Sequence, residues 1–302
     1  MQDRQPQGAG GTRRWAQTLG SMAVPLVFCL VWSSAFVATK IGLRSSPPLL
    51  LAALRFLLAG AVMLALAAAL RQPLRLSARD ALLLIALGLL NNALYLGLSF
   101  VALASVTAGL VAVLASTNPL FTALLARLAL GERLTWSKGL GLALGLGGVA
   151  FIMRGRMAGH ADDPRGIALA LAGVGCFVLG TVLFKRYRPP QSLLVVNGVG
   201  VTAGGLALLP VALLAERGRP LVLDAALYGS LAYLALAVSS GGTLLWFHLL
   251  RRGSAGAASA YHFLNPGFGL LLGWLVLGEP LSWPDLWGLL PVALGIRLVT
   301  RA

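Results

Sequence analysis

A chain of 302 residues that is 58% hydrophobic and only 11% charged, with a mean hydropathy of +0.85, has too little polar surface to enclose a water-soluble globule. Its solvent is a bilayer. The net charge of +15 would suit nucleic acid only if the basic residues shared one face, whereas here they punctuate apolar runs as loop charges, so no nucleic-acid partner is expected.

Residues 1–20 read as a polar cytoplasmic tail carrying Arg4, Arg13 and Arg14. The apolar run after them is too long for the core of a cleaved leader, so it reads as a retained first span. Spans of about 20 residues, the length a hydrocarbon core demands, fall at 22–43, 49–70, 80–102, 107–127 and 137–154. A second set falls at 166–185, 193–215, 226–249, 254–277 and 284–300. Lipid offers the backbone no hydrogen-bond partners, so each run must be a helix. The expected fold is therefore an all-α integral membrane protein of ten spans, with units at 21–154 and 166–302 joined by an external linker at 155–165.

Turn chemistry marks the breaks at Pro47-Pro48, Gln72-Pro73, Gly131-Glu132, Pro189-Pro190 and Gly278-Glu279. Taken alternately along the loops, sixteen Lys and Arg gather on the side that holds both termini and about seven on the other. The positive-inside rule places both termini in the cytoplasm. Cys29 and Cys176 fall inside apolar runs, as small hydrophobes, and imply no disulfide framework.

The chain is written twice. NPLFTALLARLALGERLTW, from Asn118 to Trp136, returns 147 residues later as NPGFGLLLGWLVLGEPLSW, from Asn265 to Trp283. Asn, Pro, Phe, Gly, Glu and Trp stay in register, and Ala108-Gly109 returns as Ala255-Gly256 at the same offset. A period this long indicates two halves of one unit rather than a solenoid. Five spans per half is an odd number, so the second half enters the membrane from the opposite side. Such inverted halves are the construction of alternating-access transporters, with a substrate site near the midplane.

These residues resemble the EamA repeat of the drug/metabolite transporter superfamily. The likeness rests on Asn-Pro in the fourth and ninth spans, Gly-Glu at their ends and the Trp opening the next span. Trp32-Ser33 to Lys40, with a weaker counterpart from Phe177 to Lys185, fits the first helix of that repeat. Within the superfamily the chain looks most like the bacterial YddG-type exporters of amino acids and related metabolites. The resemblance implies a basket of helices one to four and six to nine around a central cavity, with helices five and ten peripheral. It also implies an inner-membrane exporter whose partners are a small-molecule substrate and membrane lipid; for the oligomeric state, which the residues do not fix, a monomer is favoured.

Depth along the helices, at about 1.5 Å per residue, brings one set of polar and aromatic residues to a common level. The first half supplies Trp32, Ser33, Asn91, Asn92, Tyr95 and Asn118, and the second Ser239, Thr243, Tyr261, His262, Asn265 and Phe268. Polar groups at this depth face the bundle interior or a watery cavity, and amides, hydroxyls and rings together suit an amino acid's polar end and apolar side chain.

Each has a plainer alternative. Asn118 and Asn265 either line the cavity or satisfy a carbonyl freed by Pro119 and Pro266, which also mark bends or hinges. His262 either meets substrate or is a satisfied structural histidine. Arg55 either draws a substrate carboxylate or snorkels. Lys40 and Lys185, at matching helix ends, are gate contacts or interfacial anchors. Glu132 and Glu279 read as structural acids that accept backbone N–H groups of the next helix.

No Asp or Glu lies in the interior of a span, so transport should be downhill or linked to His262 rather than driven through an embedded acid. The alternatives are an exporter of another metabolite or drug and, from a different class, an intramembrane enzyme or a pore. The chain carries no HExxH, G-x-S-x-G or P-loop, and no cofactor or metal is expected.

Overall fold

The structure, a computed structural model, describes residues 9–102, 114–154, 163–278 and 283–301, and every regular element among them is helical. Helix α1 is Ala9–Gly42, α2 Pro48–Ala69, and α3 begins as Ala78–Gly88, passes through a π-helical turn at Leu89–Leu94 and continues as Tyr95–Ala102. Helix α4 is Asn118–Leu130, α5 Trp136–Met153, α6 Pro164–Tyr187 and α7 Leu193–Ala215. Helix α8 joins Ala225–Tyr233, a π-helical stretch Leu234–Gly242 and Thr243–Arg252. Helix α9 is Ala255–Ala260, a 3-10 turn Tyr261–Leu264 and Asn265–Leu277, and α10 is Trp283–Arg301.

Among the described residues, six stretches are long and apolar enough to cross a membrane: Ala23–Gly42, Pro48–Ala69, Ala78–Ser99, Pro164–Tyr187, Leu193–Ala215 and Ala225–Arg252. Asn118–Leu130 and Trp136–Ile152 are shorter apolar helices.

Local chemistry sets the helix limits. Ser77, Thr135, Ser192, Asp224 and Ser254 each accept an N–H of the first turn that follows them. Gly131 and Gly278 close α4 and α9 with φ of +70° and +68°, a conformation that glycine adopts without steric cost.

The expected unbroken span 254–277 is instead three pieces. Pro266 has no N–H to give the His262 carbonyl, which takes the N–H of Asn265 three residues on, and this tightens the turn around His262. The helix restarts with Pro266 in its first turn, where a missing donor costs nothing; Pro119 stands likewise at the start of α4.

Packing relies on glycine. Helices α2 and α7 lie antiparallel, with Gly60 against Thr202, Gly205 against Leu57 and Gly198 against Leu64. Helices α5 and α10 do the same through Gly141 against Gly295 and Gly148 against Gly288. Small residues let backbones approach until dispersion contacts replace lipid. The 147-residue offset turns the first of these α5–α10 contacts into the second, so equivalent helices of the two halves face one another.

Helices α3 and α7 run parallel and come closest at Gly88, where an added Cβ would stand 2.0 Å from the Gly200 carbonyl oxygen. Replacing Gly88 by Ala therefore forces these backbones apart. Unfolding in detergent should show a loss of about 1–3 kcal/mol, whereas Gly147→Ala, with open space where its Cβ would go, should stay within about 0.5 kcal/mol of the parent.

Candidate functional site

The buried centre is a box of rings around His262, which the 3-10 turn of α9 holds at 7% exposure. Its imidazole lies 4.8 Å from Trp246, 5.3 Å from Phe28, 5.6 Å from Trp32 and 5.7 Å from Phe177, ring centre to ring centre, all edge-on or tilted. Such pairs contribute about 0.5–1.5 kcal/mol each beyond burial. Trp32 and Phe177 occupy matching places in the two repeats and meet at 6.2 Å, while Tyr95 closes on Phe177 at 4.9 Å.

A hydrogen-bonded chain fixes the imidazole. Asn265 Nδ2 lies 2.9 Å from His262 Nδ1, and the Ser33 hydroxyl donates to the Asn265 carbonyl at 3.2 Å and reaches its Oδ1 at 3.5 Å. The Cys29 thiol donates to the Tyr261 carbonyl beside them. His262 Nε2 and Trp246 Nε1 are buried with no partner among the described residues.

Next to the box is a gap of about 20 Å³ bordered by Trp32, Asn92, Phe177, Asn197, Thr243 and Trp246. That is room for one water and far too little for an amino acid. Its walls are where α3 and α8 leave α-helical geometry. The π turns carry Asn91-Asn92 and Ser239-Ser240, and π-bulges are frequent at functional sites. Asn91 lies against Gly180 of α6 and Asn92 against Gly204 of α7, so the adjacent side chains face different helices, and Asn91 Oδ1 is buried with no partner among the described residues.

Ser239 belongs to a neighbouring network. Its carbonyl accepts from Asn197 at 2.9 Å, and its hydroxyl accepts from Arg55 Nε at 3.2 Å. Arg55 is 8% exposed, with its guanidinium 4.8 Å from the Phe56 ring centre.

Of the residues chosen from sequence, Trp32, Ser33, Tyr95, His262 and Asn265 meet in or against the box, and Asn91, Asn92 and Thr243 border the gap. Tyr261 and Phe268 pack against the same buried cluster. Asn118 turns elsewhere, accepting from Thr122 on its own helix at 2.9 Å. Among the described residues, neither Asn118 nor Asn265 spends its side chain on a carbonyl freed by proline. Phe28, Phe177, Trp246 and Asn197 did not stand out as site residues, whereas Arg55, weighed as a carboxylate partner or a snorkelling side chain, is buried against the Ser239 hydroxyl. Phe177 was findable as the repeat partner of Trp32.

A larger groove of about 290 Å³ between α4 and α6 is lined by Phe121, Leu124, Leu125, Leu128, Leu171 and Val178, with no polar group to confer specificity. Acyl chains suit it.

Polar ties hold both ends of the bundle. At one end Glu132 accepts the N–H groups of Ala255 (2.7 Å) and Gly256 (3.3 Å). The helix it caps is thus α9 and not the next one, because α5 already has Thr135 as its cap. Lys185 Nζ donates to the carbonyls of Leu250 (2.6 Å) and Gly253. Arg186 donates to Ala129, and Arg251 to Pro189 and Gln191, so α4, α6, α8 and α9 are cross-tied.

At the other end Glu216 accepts from Leu49 and Leu50, both at 2.9 Å, capping α2. There the Leu227 N–H and the Ser45 hydroxyl hold the Asp224 carboxyl below its usual range. Lys40 stands exposed at the end of α1, and Glu279 lies outside the described residues.

The sequence pattern of the EamA-like transporter family matches the chain twice, at residues 19–154 and 164–301. The chain is 32% identical to the "Uncharacterized inner membrane transporter YedA" of Escherichia coli over 295 residues, covering 95% of this chain and 92% of that one. It is 26% identical over 282 residues to the "Probable amino-acid metabolite efflux pump" of Escherichia coli, covering 90% and 92%. A solved crystal structure at 23% identity overlays with a TM-score of 0.79 across 93% of this chain and 96% of its own, a likeness of fold.

Removing the Glu132 carboxylate leaves the first N–H groups of α9 unmet. Glu132→Ala should lower stability by about 1–2 kcal/mol, and Glu132→Gln, which keeps one acceptor oxygen, by less. Thermal unfolding of the purified variants checks this.

Proposed function

Because the chain belongs to the EamA-like transporter family, we propose that this membrane transporter exports amino acids, aromatic or other large neutral ones, or related small metabolites across the inner membrane by alternating access. One observation carries this reading: the helices that correspond in the two halves, α2 with α7 and α5 with α10, lie antiparallel through paired glycine contacts. Halves that enter the bilayer from opposite sides place their shared axis in the membrane plane, and a site on it can be exposed to either face in turn. In this arrangement the chain makes ten crossings, five per half, with units at 21–154 and 166–302. Support for the cargo comes from the relative named as an amino-acid metabolite efflux pump and from a centre rich in aromatic rings.

Substrate is held by the residues at the box and its rim, Trp32, Asn92, Thr243 and His262, with Asn91, Tyr95, Ser239 and Asn265 setting their positions. The 20 Å³ gap admits no such cargo, so binding requires the helices around it to part. The breaks at Pro119 and Pro266 are where α4 and α9 can bend, since their backbone ladders are already interrupted. The end tied by Glu132, Lys185, Arg186 and Arg251 faces the cytoplasm with both termini, and its contacts form the inner gate. With no carboxylate in the membrane interior, movement is downhill or linked to His262.

Purified protein in liposomes tests this. Counterflow of a labelled aromatic amino acid is expected, and Trp32→Ala, Asn92→Ala and His262→Ala should each cut its initial rate at least tenfold. Wild-type rates from all three would remove the proposed site. Single cysteines beside Glu132 and Glu279 should react with an impermeant reagent from opposite sides, and labelling from one side would overturn the inverted arrangement.

A further inference from the structure

Two buried N–H donors, on rings whose centres lie 4.8 Å apart, have nothing to donate to among the described residues. Asn265 Nδ2, an amide nitrogen that only donates, faces His262 Nδ1, and the amide orientation is the one that leaves Oδ1 toward the Ser33 hydroxyl. With the amide in this orientation His262 Nδ1 is the acceptor, and the neutral ring carries its proton on Nε2. Indole Nε1 is a donor in every state. Trp246 is 1% exposed, its ring is 4.8 Å from the imidazole, and both N–H groups lack an acceptor among the described residues. Leaving a buried donor unmade costs its full desolvation, so each of the two needs an acceptor from outside the chain, a water or a ligand.

The charge nearby has the complementary sign. Arg55 is buried in α2, no carboxylate pairs with it among the described residues, and it reaches the gap in two steps: through the Ser239 hydroxyl, then from the Ser239 carbonyl to Asn197, which borders the gap. A cation inside a membrane protein marks a site for a partner charge. None of the chain's nine acids lies in the interior of a span, so the protein itself supplies no such partner there.

We propose that the group recognised at this site is a carboxylate. Its oxygens accept from His262 Nε2 and Trp246 Nε1, Arg55 supplies the compensating charge, and the apolar body of the ligand lies against Trp32 and Phe177. Among the described residues no acidic side chain lines the gap to hold an ammonium, and the unmet Asn91 Oδ1 there is neutral. An α-amino group can therefore gain a hydrogen bond but no charge pairing, and organic acids with an apolar or aromatic body are ligands in their own right. Naming the ligand a substrate rests on the transport reading above; the carboxylate preference is a statement about binding.

Four probes separate the possibilities: 3-phenylpropanoate, phenylalanine, phenylalaninamide and 2-phenylethylamine, titrated into the purified full chain with intrinsic tryptophan fluorescence as the readout. The two carboxylates should bind within a few-fold of one another, and the amide and the amine at least tenfold more weakly. Trp246→Phe, which keeps a ring and removes the N–H, should weaken both carboxylates about tenfold and leave the amide unchanged, with its melting temperature near that of the parent.

The proposal is overturned if the amide or amine binds as tightly as the acids, or if none of the four binds. Counterflow by the same preparation keeps the two readings apart. Flux of amines without acids sinks the carboxylate and spares the transporter, and acid binding with no flux of any solute does the reverse.

Discussion

In hydrocarbon a backbone or side-chain polar group has no water to turn to, and this constraint shapes nearly every feature of the chain. It makes the spans helical, and it makes each interruption of a helix an event needing its own chemical answer. The π turns of α3 and α8 and the 3-10 turn of α9 all lie around one small volume. In α8 and α9 the carbonyls at the break are taken up by a neighbour: the Ala235 carbonyl by the Ser240 hydroxyl, the Ser239 carbonyl by Asn197, the His262 carbonyl by the N–H of Asn265. The polar centre is thus a consequence of where the helices depart from regularity.

The same constraint operates at helix ends, where four N–H groups have no partner within the helix. Glu132 and Glu216 answer it across large sequence distances, one capping α9 from the end of α4 and the other capping α2 from the end of α7. A carboxylate on the positive end of a helix dipole also neutralises partial charge. Each tie spans the two halves: it can exist only when one half is docked on the other, so stability of that end and the relative position of the halves are one quantity.

Much of this was legible in the residues, for a physical reason in each case. The repeat was legible because Asn-Pro, Gly-Glu and Trp are costly or conformationally special in a membrane helix and so stand out from leucine and alanine. Asn91-Asn92, Ser33 and His262 were legible for the same reason, being polar where polarity is expensive. Phe28, Phe177 and Trp246 were not, because one ring among many apolar side chains carries no sign of which way it faces. Only the 145-residue offset between Trp32 and Phe177 tied one of them to a recognisable position. The partner of Glu132 was hidden too. Propensity rules point a capping acid at the helix that follows, and only packing brings α9 to it.

The gap beside His262 bears on how such a site can work. A pocket lined with donors and a cation, left open and dry, would pay desolvation without return; filled by protein rings it pays less, since edge-on contacts with four aromatics partly offset the buried imidazole. The imidazole packs against the same rings, Trp32 and Phe177, that the proposed ligand's body would meet, on the segment of α9 whose hydrogen-bond ladder is already broken by Pro266. In the transport cycle proposed above, binding and a rearrangement of α9 would be coupled in one exchange between two packings, as a bistable element requires. Tight static complementarity would have locked one of those packings in place. The incomplete hydrogen bonding around His262 and Trp246 is what leaves room for the second.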